Sequence, residues 1–247
     1  MLKNILLTLV LLFSSLYAYD ARLNNYPETK EWLKDADTNG ESAYNIGVIY
    51  HQYIKDDTKA IEWYKKAYYM HDEGASIDAA NNIGSINDNL KQYNKSIKWY
   101  KIAVEKNDNK ATYNLAILYK KLHQYNDAIF YYKKAYTMGH LVAAHNLALL
   151  YEEKLNKPKE AILWYKKSAK KGHLGSIKNL ARYYSLEEHD KVMGGAYFIA
   201  LIDLKYPKQK VITYLKTKWH LTDKELQQAY KLQQTLDIPK HYTGGIN

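Results

Sequence analysis

Lys178, Asn179 and Arg182 fall within one turn of a helical pattern, and Asn146 precedes them by about one repeat length. Two cations beside two carboxamides suit a carboxylate or a peptide terminus, because charge-assisted hydrogen bonds fix such groups in place. Tyr113 and His145 each stand immediately before an asparagine of the same series and are expected to line the same surface. Ser168-Ala169-Lys170-Lys171 has the S-x-x-K spacing in which a lysine can activate a serine nucleophile. The S-D-N and K-T-G elements that complete that chemistry are missing, and Ser168 also occupies a small-residue packing position. No catalytic residue is therefore assigned. His140 and His173 follow Gly139 and Gly172 one repeat apart, without a carboxylate or cysteine at ligand spacing, so neither a metal nor a cofactor is expected. Nucleotide loops, HExxH helices and nucleophile elbows are also absent from the sequence.

The elements that must position these residues recur. Trp63-Tyr64-Lys65-Lys66-Ala67, Trp99-Tyr100-Lys101-Ile102-Ala103, Tyr131-Tyr132-Lys133-Lys134-Ala135 and Trp164-Tyr165-Lys166-Lys167-Ser168 are spaced by 36, 32 and 33 residues. A period in this range predicts stacked helical hairpins. The first helix of each unit reads small-x-x-aliphatic-small-x-x-Tyr, as in Ala43, Ile46, Gly47 and Tyr50 or Ala144, Leu147, Ala148 and Tyr151. In the second unit Asn87 takes the tyrosine place. Spacing of i, i+3, i+4 and i+7 puts these residues on one face, where the middle Gly or Ala lets the paired helix approach. The second helix carries the aromatic block. Gly74, Gly139 and Gly172 are expected to end it in a left-handed cap. Asparagine recurs at 45, 82, 114, 146 and 179, and bonding to the neighbouring repeat is its simplest role.

This pattern resembles the Sel-like repeat family, the branch of the tetratricopeptide repeats with longer units. Asn45-Ile46-Gly47-x-x-Tyr50 with Ala60-Ile61-x-Trp63-Tyr64-x-x-Ala67, and their counterparts, carry the resemblance over residues 41–206. It implies an all-α, right-handed α-α solenoid of about five hairpins. An N-terminal capping helix is expected over 19–40, C-terminal capping helices over 207–237 and a flexible tail over 238–247. The fifth unit is degenerate, with Met193-Gly194-Gly195-Ala196-Tyr197-Phe198 in place of the aromatic block. Beyond it, Thr222-Asp223-Lys224-Glu225 has the form of a capping box. Family kinship implies a non-enzymatic scaffold that binds a protein or peptide in a concave groove. Two alternatives also come from kinship. One is weak β-lactamase-like or penicillin-binding activity, as in the Helicobacter cysteine-rich proteins, whose disulfides this cysteine-free chain cannot form. The other is an immunity or inhibitor protein acting on an exported toxic enzyme.

Composition narrows the partner. Formal net charge is +10, but 34 of the 36 basic residues are lysines. Nucleic-acid surfaces favour arginine's planar fork, so no nucleic acid is expected. Lys-Lys pairs after aromatics instead suggest lysine stems lying over rings. The chain has 26 tyrosines that recur in register with the period, and most are expected to pack between helices with hydroxyls reaching the surface. Residues 1–18 read as a signal peptide: Lys3, an apolar run over Ile5–Phe13, and a cleavage site after Ala18. A periplasmic or secreted protein, with no stable membrane insertion after cleavage, is the expectation.

Overall fold

The computed structural model describes residues 20–239 except Lys205, together with Thr243. The expected signal peptide over 1–18 and most of the expected tail lie outside the described residues. Two compact units emerge, Met1–Asp108 and Asn109–Asn247. Among the described residues both are helical, and neither holds a strand.

In the first unit a 3-10 turn over Ala21–Asn25 leads into α1 (Thr29–Asp35) and α2 (Gly40–Val48). The latter continues as a π-helical stretch over Ile49–Ile54. Then come α3 (Asp57–Tyr69), α4 (Glu73–Asn89) and α5 (Tyr93–Glu105). α2 pairs with α3 and α4 with α5, and α3 packs on α4. The second unit repeats the scheme with α6 (Asn109–Lys121), α7 (Tyr125–Thr137), α8 (Ala143–Glu153), α9 (Pro158–Ala169), α10 (Leu174–Leu186) and α11 (Lys191–Ile199). Its hairpins are α6–α7, α8–α9 and α10–α11, with α7 on α8 and α9 on α10. A 3-10 turn over Ile202–Leu204, α12 (Lys208–Thr217) and α13 (Asp223–Gln233) follow.

Each hairpin closes on a ring. Tyr64, Tyr100, Tyr132 and Tyr165, the second aromatics of the four blocks, are all buried. A Cβ added at Gly47 would stand 2.7 Å from Tyr64 Cδ1, and one at Gly84 would stand 2.6 Å from Tyr100 Cδ1. The glycines therefore let α2 and α4 press onto the tyrosines of α3 and α5. In the second unit Ala116 and Ala148 occupy the same register, buried as the glycines are. The expectation that these hydroxyls reach the surface fails at Tyr64 and Tyr132, whose hydroxyls are buried with no hydrogen-bond partner among the described residues. Both side chains are fully buried against a tyrosine of the first helix, Tyr44 at 5.5 Å and Tyr113 at 6.0 Å between centroids. Asn87, in the tyrosine place of its unit, is 3% exposed and bonds back to the Ile83 carbonyl at 2.8 Å.

Turns follow one rule with one correction. Eight residues after the first aromatic of each block stand His71, Asn107, Gly139 and Gly172, and all four have positive φ. Gly74, expected as a cap, instead lies in the first turn of α4. Its distance from the aromatic block is three residues too long, so His71 adopts the left-handed conformation there. The first helices of the hairpins end likewise at Lys55, Lys91, His123, Asn156 and His189.

The ends are tied down differently. The Asp20 carboxylate accepts from Arg22, from Lys59 at 2.9 Å and from the Tyr50 hydroxyl at 3.0 Å. Hydrogen bonding from Arg22 holds that carboxyl far below the usual carboxylate range. At the other end Ile199, Val211, Leu215, Leu221, Leu226 and Ala229 form one buried cluster. The expected capping box opens α13: Thr222 and Glu225 each bond the other's backbone. Gly194 and Gly195 allow a close approach before the aromatic places of the degenerate block, since a Cβ would meet the Ala181 carbonyl at 2.8 Å and Leu221 Cδ2 at 3.0 Å. Tyr197 and Phe198 hold those places, and Tyr197 stacks on Tyr184 at 5.7 Å as Tyr131 stacks on Tyr119 at 5.4 Å.

Candidate functional site

Neighbouring repeats are joined by two devices built from the period. On the first helices, Asn82 donates to the Tyr44 hydroxyl at 3.2 Å in the first unit, and Asn146 donates to the Tyr113 hydroxyl in the second. The recurring asparagine thus bonds the preceding repeat. On the second helices, Tyr68 meets Trp99 edge to face at 5.2 Å and Tyr136 meets Trp164 at 5.6 Å. Such ring pairs contribute about 0.5–1.5 kcal/mol beyond area burial.

The expected groove residues all lie in the second unit, in three adjacent clusters. Tyr113 on α6 is half-buried, stacked on the His140 ring at 4.0 Å and 16°. Burial pushes its phenol upward. Asn146 on α8 reaches it from the next repeat. His145, one residue earlier, stacks on His173 at 4.3 Å, and its Nδ1 lies 2.9 Å from the buried Ser176 Oγ. That hydroxyl is also 3.4 Å from His173 Nδ1, while the Ser176 amide donates to the same nitrogen and so caps α10. Burial first, then the neighbouring His173, lowers the His145 pKa to about 4; the Glu152 charge opposes the shift. Burial also lowers His173. Both rings are neutral at pH 7.

The third cluster holds the cations. Arg182 pairs with Glu152 across the α8–α10 face, and the same carboxylate accepts from the Tyr165 hydroxyl. Tyr165 is raised by burial and by that carboxylate. Lys178 donates to the Tyr206 hydroxyl and lies 4.6 Å from its ring centroid. Lys178, Asn179 and Arg182 are thus brought onto one face of α10, but both cations already have local partners. Arg182 keeps about half its side chain exposed, at 47%. It retains guanidinium N–H groups for a second acceptor.

Ser168 takes no part in such a surface. It is fully buried on α9, with its Oγ unpartnered among the described residues. Among the described residues, no three His, Cys, Asp or Glu side chains converge as a metal site. No described helix is long and apolar enough to cross a membrane. The partners Glu152, Tyr165, His173 and Tyr206 complete the arrangement. Glu152 shares the groove register of its repeat, whereas Tyr206, in the irregular stretch after α11, carries no periodic signal that would find it.

Comparison with known proteins places the chain. The Sel1 repeat pattern matches residues 40–72 and 141–173, and the tetratricopeptide repeat pattern matches 77–107 and 110–138. Among curated proteins, no sequence matches this chain. The solved structure of c5321, a protective antigen of uropathogenic Escherichia coli displaying an SLR fold, is similar with a TM-score of 0.58 and 26% identity. The match covers 81% of this chain and 45% of that one, so this chain spans under half of its length. A Sel1 repeat protein from Oxalobacter formigenes is similar with a TM-score of 0.56 and 23% identity, over 87% of this chain and 97% of the other. PilF of Pseudomonas aeruginosa shares the fold with a TM-score of 0.53 at 19% identity, over 74% and 86%. Repeats of these two kinds indicate a protein–protein interaction scaffold.

Proposed function

Because this chain is a Sel-like repeat protein of the tetratricopeptide repeat superfamily, we propose that it is an exported, non-enzymatic adaptor. It takes a protein or peptide partner on the α6–α8–α10 face of its second unit. The observation that carries this reading is the row formed by Tyr113, His145 and Lys178. The three occupy one register position in successive repeats and are each held by stacking or a hydrogen bond. Asn146 and Asn179 stand next to them in the same register. Side chains locked in this way present aromatic, neutral polar and cationic groups at fixed intervals, at little entropic cost on binding. The exposed part of Arg182 supplies the anchor for an acidic group of the partner.

Export rests on Lys3, the apolar run and Ala18, with Asp20 pinned only two residues beyond the expected cleavage site. Cell fractionation and N-terminal sequencing test it. Mature protein in the periplasm starting at Tyr19 is expected, and a cytoplasmic full-length chain overturns it. For the groove, tagged protein with Lys178→Glu and Arg182→Gln is compared with wild type in capture from the envelope fraction. At least a tenfold loss of the captured partner is expected. Melting should shift little, because an exposed ion pair contributes only about 0–1 kcal/mol. Undiminished capture removes the groove.

A further inference from the structure

Outside the groove, the second unit holds an open cleft of about 530 Å³ between the end of α9, the stacked rings of Tyr184 and Tyr197, and the segment that follows α13. Its volume falls within the range of about 300–1,000 Å³ usual for small-ligand sites. The two tyrosine rings lie parallel at 5.7 Å and 6°. Leu163, Met193, Leu232 and Leu236 supply aliphatic walls, and Lys166, Lys167 and Lys170 supply the cationic side.

The lysines alone would signify little, since Lys-Lys pairs recur at this place in the repeat and a helix C-terminus favours cations. One feature separates this cleft from the equivalent surface elsewhere. Leu163 is 54% exposed, at the position where the first two blocks carry Glu62 and Lys98, but the third carries Phe130, 61% exposed, so the apolar residue is shared with that block. What sets this cleft apart is that the segment after α13 lays a leucine and a carboxylate into it. Leu236 is largely buried there, and the Asp237 carboxylate lies 2.9 Å from Lys170 Nζ. The chain's own Leu236-Asp237 pair therefore shows what the surface accepts: an aliphatic body with a carboxylate at its end. One acid against three ammonium groups leaves two positive charges unneutralised within the lining.

We propose that this cleft is a binding site for an aliphatic carboxylate of fatty-acid type. The chain lies along Leu163, Met193 and Leu232, and the head is held by Lys166 and Lys167. Lysine suits this role because a compact ammonium needs no planar, bidentate partner. Asp237 competes with the ligand head for the third lysine.

The test uses the full chain and isothermal titration with decanoate, decanol and decyltrimethylammonium below their micelle-forming concentrations. Decanoate is expected to bind at least tenfold more tightly than decanol, and the cationic amphiphile not to bind measurably. Leu163→Glu, which copies the residue of the first block at an exposed site, should abolish decanoate binding with the melting temperature unchanged. Asp237→Asn, which frees Lys170, should tighten binding severalfold. Equal affinity for acid and alcohol overturns the proposal, as does binding insensitive to Leu163→Glu. A wild-type protein that binds no decanoate overturns it outright. The groove substitutions at Lys178 and Arg182 should leave decanoate binding untouched, so this site and the adaptor surface fail or stand separately.

Discussion

At Gly84 the ring of Tyr100 lies 2.6 Å from where a Cβ would be, whereas at Gly74 no atom lies within 4 Å. The two glycines therefore predict opposite outcomes. Gly84→Leu should destabilise by about 1–3 kcal/mol through overpacking. Gly74→Ala, in an open helical turn, should be neutral or gain up to about 1 kcal/mol from helix propensity. Urea midpoints of the two variants decide it. His145 makes a different kind of prediction. Its folded pKa of about 4 lies below the unfolded value of about 6.5. Between those values the unfolded chain binds a proton that the folded chain refuses. The contribution of this site to stability is thus intact above pH 6.5 and declines as pH falls toward 4. His173 stacks on the same ring and is also lowered, by burial, while the Glu152 charge opposes the shift of His145. His145→Gln keeps a side-chain amide near Ser176 and should flatten the acid limb measured by denaturant unfolding at pH 7 and pH 4.5. The sequence places His145, Asn146, Lys178 and Arg182 on one surface. It does not show that Glu152 and Tyr206 engage the two cations, since Tyr206 follows no period and an ion pair leaves no mark in residue spacing.

The helices end by a rule that spacing alone nearly supplies. Every second helix of the four full hairpins is followed by a left-handed residue, whether glycine, as at 139 and 172, or not, as at His71 and Asn107. Reading glycine as the signal misplaces the cap at Gly74; counting eight residues from the aromatic block places it correctly. The same geometry sets the cost. A residue with a Cβ gives up about 1–2 kcal/mol in the left-handed region, whereas glycine gives up about 0.5–1 kcal/mol of chain entropy. Lys91, exposed and at φ 59°, should therefore gain about 0.5–1 kcal/mol on replacement by glycine. Gly139→Ala should lose about 1 kcal/mol. Thermal melts of the pair, run under one buffer, check both signs at once. Ring contacts between successive second helices were also implicit in the period, because Tyr68 and Tyr136 each stand five residues past the start of a block. Their edge-to-face geometry needed coordinates, since several rotamers fit the same spacing.

A stack of hairpins must be closed, because the last one exposes a face that no further repeat covers. In the second unit α12 and α13 provide that closure. Their extent was legible as capping helices over 207–237, and the start of α13 in the Thr222 capping box; the apolar stripe they bury includes Val211, Ile212 and Leu215. What the sequence hid was the surface they cover. Gly194 and Gly195 look like a loss of pattern, yet they bring α11 close enough to α10 and to Leu221 for the stripe to seat. The close therefore joins these leucines to Phe198, which stacks on Tyr214 at 5.0 Å and meets Trp219 at 5.2 Å. Leu226 is 2% exposed in that cluster. Leu226→Ala should remove about 2–5 kcal/mol, the cost of a buried leucine that leaves a cavity. If α13 is only an appendage, the variant will melt its own helix and leave the repeats' unfolding midpoint in place. If it closes the array, the loss will pass inward through Ile199 to α10, and amides of α10 and α11 will exchange faster along with those of α13. Hydrogen exchange resolved by peptide separates these outcomes, and the shared cluster of Ile199, Leu215, Leu226 and Ala229 requires the second.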